Sequence, residues 1–140
     1  MPGGSGTRTG TGQELMIESV LKFNQYNYEK QIFIGKQLFN SRYKADFIIN
    51  NSIIVSLKWQ QVAGTAEQKV IYEIASLIKI IETSDIYKKA YLVIGGNGFS
   101  SNSKNYLFHQ EHKKILKNGD LVENISVEDF IARLNNKSIF

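Results

Sequence analysis

Between Tyr28 and Trp59 three short runs rich in β-branched and aromatic residues stand in tandem: Tyr28 to Ile34, Lys44 to Ile49 and Ile53 to Trp59. Gly35 and the Asn50-Asn51 pair break them. Runs of this length and composition are strands, and turn residues between them predict a three-strand meander. Helical patterns enclose it. From Gln13, Leu15, Met16, Ile17, Val20, Leu21 and Phe23 recur at helical spacing, with Glu14 and Glu18 stacked one turn apart beside them. After the loop Gln61 to Thr65, the segment Ala66 to Thr83 places Val70, Ile71, Ile74, Leu77, Ile78 and Ile81 on one broad apolar stripe. Lys89 to Ile94 predicts a fourth strand and Gly95 to Asn105 a Gly/Ser/Asn loop. Tyr106 to Leu116 predicts a helix, and Ser126 to Leu134 another, opened by a Ser-x-x-Asp cap at Ser126 and Asp129. The order is helix, three strands, helix, strand, helix, helix, an α/β chain.

Size and composition bound what this order can do. A chain of 140 residues, 42% hydrophobic and 21% charged, buries one modest core, so residues 13–140 are expected to form a single domain. The first twelve residues hold five glycines among Ser, Thr and Arg, a composition expected to stay a flexible arm. With no cysteine, neither a disulfide framework nor a thiolate zinc site is available, which suits a reducing cytoplasm or nucleoid. Met1 to Gly12 has no apolar leader core, and runs such as Ile53 to Val55 are too short to span a bilayer, so no membrane partner is expected. The net charge of +4 favours a polyanionic one.

Chemistry concentrates in the meander. Side chains alternate along a strand, so Ile54, Ser56, Lys58 and Gln60 share one face of the third strand, while Ile53, Val55, Leu57 and Trp59 form a uniformly apolar other face. A tight turn at Asn50-Asn51 would bring the carboxylate of Asp46, on the neighbouring strand, beside Ser56 and Lys58. An isolated Asp and Lys on adjacent strands are more often a plain salt bridge at a sheet edge. The surrounding pattern argues for more.

Lys44-Ala45-Asp46-Phe47-Ile48-Ile49 followed by Ile54-Val55-Ser56-Leu57-Lys58-Trp59-Gln60, in this order of elements, resembles the PD-(D/E)XK nuclease superfamily over Gln13 to Gly95. That family places an acid on the second strand and an acidic-x-Lys triplet on the third. Here the triplet is Ser-x-Lys, with Ser56 in the place of the acid, and Ala45 stands where proline often precedes Asp46. The resemblance implies a restriction-endonuclease-like core, a central mixed sheet of four to five strands flanked by helices in αβββαβ order. It also implies phosphodiester hydrolysis with Mg²⁺, for which Mn²⁺ would substitute. Asp46 and the backbone carbonyl of Leu57 would hold the metal, and Lys58 would orient or deprotonate water.

A second acid is then wanted. A subgroup of type II restriction enzymes with Ser-x-Lys recruits a glutamate from the following helix, and Glu67 and Glu73 are the candidates. Glu67 is favoured as metal ligand, because Glu73 groups with Lys69 and Ser76 on what reads as a solvated face; an ordinary first-turn acid is the bland account of Glu67. Gln68 and Tyr72 match a Gln-x-x-x-Tyr element of several superfamily branches and fall on one helical face. The first-helix glutamate that many members contribute would be Glu14 or Glu18.

Other features carry less. His109 and His112, three apart, lack the four-residue spacing of helical metal ligands and read as a solvated helix face. Gly95-Gly96-Asn97-Gly98 lacks phosphate-loop spacing and reads as a mobile loop able to touch DNA. Arg8, Arg42, Lys44, Lys69 and Lys104, with Lys113, Lys114 and Lys117, are candidates for gripping phosphates, although surface lysines need no such role. The leading expectation is a DNA endonuclease of restriction or homing type on double-stranded DNA. One compact subunit has one site and a duplex has two strands, so a homodimer or higher homo-oligomer is expected. A Holliday-junction resolvase and a catalytically inactive DNA-binding member are the alternatives.

Overall fold

In the computed structural model, the backbone is described for residues 2–60, 66–96 and 98–140, and the side chains for 11–60, 69–96 and 98–140. The elements are α1 (Pro2–Phe23), β1 (Tyr28–Lys36), β2 (Arg42–Ile49), β3 (Ile53–Trp59), α2 (Ala66–Glu82), β4 (Lys89–Gly95), α3 (Ser101–Phe108), β5 (Val122–Ser126) and α4 (Val127–Asn135). They build one mixed sheet in the order β1-β2-β3-β4-β5. The first three strands pair antiparallel as the meander predicts, and β4 and β5 extend the sheet in parallel. The turn into β3 uses Asn50 and Asn51, both at positive φ (51° and 60°), as Asn tolerates better than most residues.

Two apolar layers cover the sheet. On one face Ile48, Ile54, Ala90, Leu92 and Ile94 meet Val70, Ile74, Leu77, Ile78 and Ile81 of α2. On the other, Phe47, Ile49, Ile53, Val55, Tyr91 and Val93 meet Ile17 and Leu21 of α1 and Phe130 and Leu134 of α4. Covered on both sides, β4 is apolar along nearly its whole length, the pattern of a central parallel strand. Its five buried residues are the axis of the core. No helix among the described residues is long and apolar enough to cross a membrane.

Several elements differ from the sequence expectation. The helical backbone of α1 begins at Pro2 rather than Gln13; among its described side chains the buried ones, Gln13, Ile17 and Leu21, lie in the half the periodicity marks. The loop expected to reach Asn105 ends at Ser100, whose hydroxyl accepts from the Ser103 amide and caps α3 five residues earlier than the loop's expected end. The helix expected over Tyr106 to Leu116 stops at Phe108, and a short 3-10 turn over Glu111–Lys114 follows. His112 is fully buried, against the expectation of a solvated face. Its Nε2 lies 2.8 Å from the Gly119 carbonyl and 3.0 Å from that of Val122, and its Nδ1 lies 3.2 Å from the Asn124 amide. Strand β5 was hidden because Val122–Ser126 is short and runs directly into the Ser126 cap of α4.

Candidate functional site

The site begins where the sheet parts. Strands β2 and β3 pair only at Phe47 with Val55, Ile48 with Ile54 and Ile49 with Ile53. Beyond that point the Leu57 N–H, which a continuing ladder would give to a carbonyl, donates instead to Asp46 Oδ2 at 2.7 Å. The irregularity extends into β1: Gln31 drops out of the β1–β2 register and sits at φ 56°. It also inverts β2. Tyr43 and Ala45 pack on the α2 face, whereas Phe47 and Ile49 pack on the α1 face. Asp46 stands at the inversion, half-buried, with Oδ1 accepting from Gln31 Nε2 at 3.3 Å; the same amide reaches Glu14 Oε1 at 3.2 Å.

Across the sheet, Ser56 and Lys58 turn toward α2 as alternation requires. They meet Glu73. Lys58 Nζ lies 2.5 Å from Glu73 Oε1, and Glu73 Oε2 accepts from the Ser56 hydroxyl and, at 2.8 Å, from the Tyr43 hydroxyl. The Glu73 side chain is only 13% exposed and Ser76 is fully buried, so the solvated face expected for this part of α2 is corrected: Glu73 closes onto the strand. The cause is the splayed β2, which lets the edge of the apolar stripe of α2 reach the end of β3. Lys69 alone of that trio is exposed.

Electrostatics separates the acids. Burial holds the Asp46 carboxyl above its ordinary pKa, opposed by the Leu57 amide, by Lys58 and by Gln31. Burial and the adjacent Glu73 charge push the Tyr43 phenol well up, keeping it a donor. Asp46 has no ion-pair partner among the described residues, although Lys58 is near enough to act on it through space. Two carboxylates and a backbone carbonyl are hard oxygen donors, and a buried acid without a contacting cation suits a divalent ion. Among the described residues no three acidic or histidine side chains converge as a preformed cluster. A cation such as Mg²⁺, which keeps waters and uses one or two carboxylates plus phosphate, fits this sparse set.

The remaining sequence candidates fall in different places. The side chains of Glu67, Gln68 and Arg8 lie outside the described residues. Tyr72 is drawn away from the carboxylates: its hydroxyl accepts from the Phe39 amide at 3.1 Å and its ring stacks on Phe39. Gln60 turns from Ser56 and Lys58 to the loop after β4, donating to the Gly98 carbonyl at 3.0 Å while its backbone carbonyl accepts from the Gly98 amide. Glu18 is taken by Tyr28 and Lys30, which lower its pKa, leaving Glu14 as the α1 acid nearest Asp46. Arg42 and Lys44 lie over the Phe33 ring on the outer face of the β1–β2 hairpin. Lys104 lines a separate cleft with Trp59, Gly96 and Glu128. Tyr43 and Gln31 were missed by sequence reasoning; Tyr43, three residues before Asp46, reads as an ordinary strand aromatic, and nothing in the sequence marks the positive φ of Gln31.

Comparison with curated proteins and with solved structures yields no match. A model of the PD-(D/E)XK nuclease superfamily domain matches residues 5–138. The matched span takes in β2, β3 and α2, the elements that carry Asp46, Lys58 and Glu73. With the match running through nearly the whole sequence and a mixed five-stranded sheet flanked by helices beneath it, the chain belongs to the PD-(D/E)XK nuclease superfamily.

Proposed function

We propose that this chain is a divalent-metal-dependent endonuclease of restriction or homing type that hydrolyses phosphodiester bonds in double-stranded DNA, working as a homodimer or higher homo-oligomer. The observation that carries the reading is the convergence of Ser56, Lys58 and Tyr43 on Glu73 at the point where β2 leaves β3 and Asp46 captures the Leu57 amide. Glu73 supplies from the helix the carboxylate that Ser56 lacks on the strand. It replaces Glu67 as the favoured second acid.

Asp46 and Glu73, with the Leu57 carbonyl, are the residues to hold Mg²⁺ or Mn²⁺. When bound, the ion supplies charge to the phosphate and lowers the pKa of water. The chain's own groups do the rest. Lys58, about one third exposed, presents an ammonium to the incoming phosphate and orients the attacking water. Ser56 and Tyr43 fix the Glu73 carboxylate by donating to one oxygen. Gln31 and the Leu57 amide fix Asp46, and Glu14, on the other side of Gln31, adds negative charge to the outer edge of the site.

The test is cleavage of a supercoiled plasmid and of a four-way junction by the purified protein with Mg²⁺, with Mn²⁺ and with EDTA. Metal-dependent nicking or linearisation that Asp46→Asn abolishes and Lys58→Ala sharply slows is the expected result. Cutting of the junction alone would assign the protein to structure-selective nucleases. No cutting of either substrate, with binding retained, would make it an inactive DNA-binding member.

A further inference from the structure

The β1–β2 hairpin carries an arrangement that stability does not call for. Its loop is clamped to α2 at three points: the Phe39 amide donates to Tyr72 Oη at 3.1 Å, the Leu38 amide to Ser76 Oγ at 3.2 Å, and Lys79 Nζ to the Gln37 carbonyl at 3.1 Å. Yet the loop leaves Phe39 82% exposed, its ring tilted 39° against that of Tyr72 with centroids 5.1 Å apart. An aromatic residue whose backbone is pinned to a helix while its side chain faces solvent is positioned for a partner. The strand that follows this loop carries cations on its outer face. Arg42 lies 3.7 Å and Lys44 5.6 Å from the centre of the half-exposed Phe33 ring, so one aromatic surface orients both charges.

These groups lead to the Asp46 site. Arg42, Lys44 and Asp46 alternate along β2 on one face, before the inversion at Phe47, and are spaced about 7 Å per step. Phe33 is the cross-strand partner of Lys44, and Gln31, two residues earlier, bonds Asp46. The resulting strip runs from the half-exposed Phe33 ring and its two cations to a carboxylate on which a phosphate and its metal are expected, with Phe39 in the loop three residues before Arg42. Basic side chains interleaved with aromatic rings match a polyanion with stackable bases. A second copy of this chain, equally basic along this strip, is disfavoured by charge.

We propose that the β1–β2 hairpin is a nucleic-acid clamp in which Arg42 and Lys44 grip the phosphates flanking the scissile one and Phe39 stacks on a base. The proposal rests on the nuclease reading of the Asp46 site, and its test is independent of cleavage. Affinity of the full chain for a short labelled duplex and for a four-way junction is measured by fluorescence anisotropy in EDTA, over a salt series, with 2-aminopurine placed along the site. Phe39→Ala is expected to weaken binding about 5- to 150-fold with little change in salt slope, and to abolish the 2-aminopurine response. Arg42→Gln and Lys44→Gln are each expected to reduce the log–log salt slope by about one. Phe23→Ala, an exposed ring at the end of α1, should change nothing.

The exposed position of Phe39 makes its loss cheap for folding, and an unchanged melting curve checks that. Wild-type affinity in Phe39→Ala overturns the clamp, as does failure of the wild-type chain to bind either nucleic acid. So does loss of self-association in Phe39→Ala with binding intact, which would assign the surface to a second copy. If Phe39→Ala loses affinity while the wild type cuts nothing with metal, the clamp stands and the nuclease reading falls. Cleavage with an unaffected Phe39→Ala gives the reverse.

Discussion

Replacing Glu73 with alanine removes one carboxylate and strands three donors. The Tyr43 side chain belongs to a residue 5% exposed and Ser56 to one 2% exposed, so neither hydroxyl reaches bulk water when its acceptor is gone. Each orphaned buried hydroxyl costs about 1–3 kcal/mol. Lys58 is different. Its side chain is 34% exposed, so the ammonium turns to solvent and adds at most about 1 kcal/mol. Relief of the desolvated carboxylate and entry of a water into the space offset part of the total. The net is about 3 kcal/mol, or roughly 10 °C in melting temperature for a domain of this size. Glu73→Gln keeps the shape and one acceptor oxygen and should cost about 1 kcal/mol or less, while losing activity as fully as the alanine variant. Urea denaturation followed by circular dichroism measures both. A double-mutant cycle with Ser56→Ala should show coupling of about 1 kcal/mol or more. A Glu73→Ala protein within about 0.5 kcal/mol of wild type, with no coupling to Ser56, would return Glu73 to a solvated face.

Asp46 carries a pH signature. Burial raises its pKa in the folded state, so the folded chain holds that proton more tightly than the unfolded one. The stability contribution is present below the unfolded value of 3.8 and is lost as pH rises through the higher folded value. Asp46→Asn should remove that decline, seen as a flatter urea midpoint as pH rises above 3.8, while abolishing cleavage. Lys58→Ala should lower the cleavage rate about 10²- to 10³-fold and, because it leaves the Glu73 carboxylate, 13% exposed, without its cation, should destabilise by about 1–3 kcal/mol, read by plasmid nicking and urea titration. Gly96→Ala should destabilise by more than about 2 kcal/mol in the same titration. At φ 89° the added Cβ would lie 2.3 Å from the Gln60 carbonyl oxygen.

What could be read from the sequence was what periodicity and turn chemistry encode locally. Ile53–Trp59 is a strand with the expected ends, α2 covers the expected segment to within a residue, and Ser126 caps α4. Alternation along β3 also places Ser56 and Lys58 on one face, which the contact with Glu73 bears out in geometry. The rest depended on tertiary placement. Glu73 lies at the edge of an apolar stripe, and only the parting of β2 from β3 decides that it turns inward. Tyr72 has the spacing of a site residue, but the hairpin loop offers its hydroxyl the Phe39 amide. Ile71, counted with the apolar stripe, is 37% exposed at a cleft against α3. His112 is polar by type and buried by circumstance, satisfied by two carbonyls and Asn124 that approach from a turn no local pattern predicts.

Asp46, on the strand, and Glu73, on the helix, are proposed as the two carboxylates of one metal site. A crystal of the protein soaked in Mn²⁺, with anomalous differences collected at the manganese edge, tests it most directly. The expected result is a peak between Asp46 and Glu73, with Lys58 released from its ion pair with Glu73, and no such peak in Asp46→Asn. A peak held by Asp46 and Glu67, with Glu73 still paired to Lys58, would contradict it.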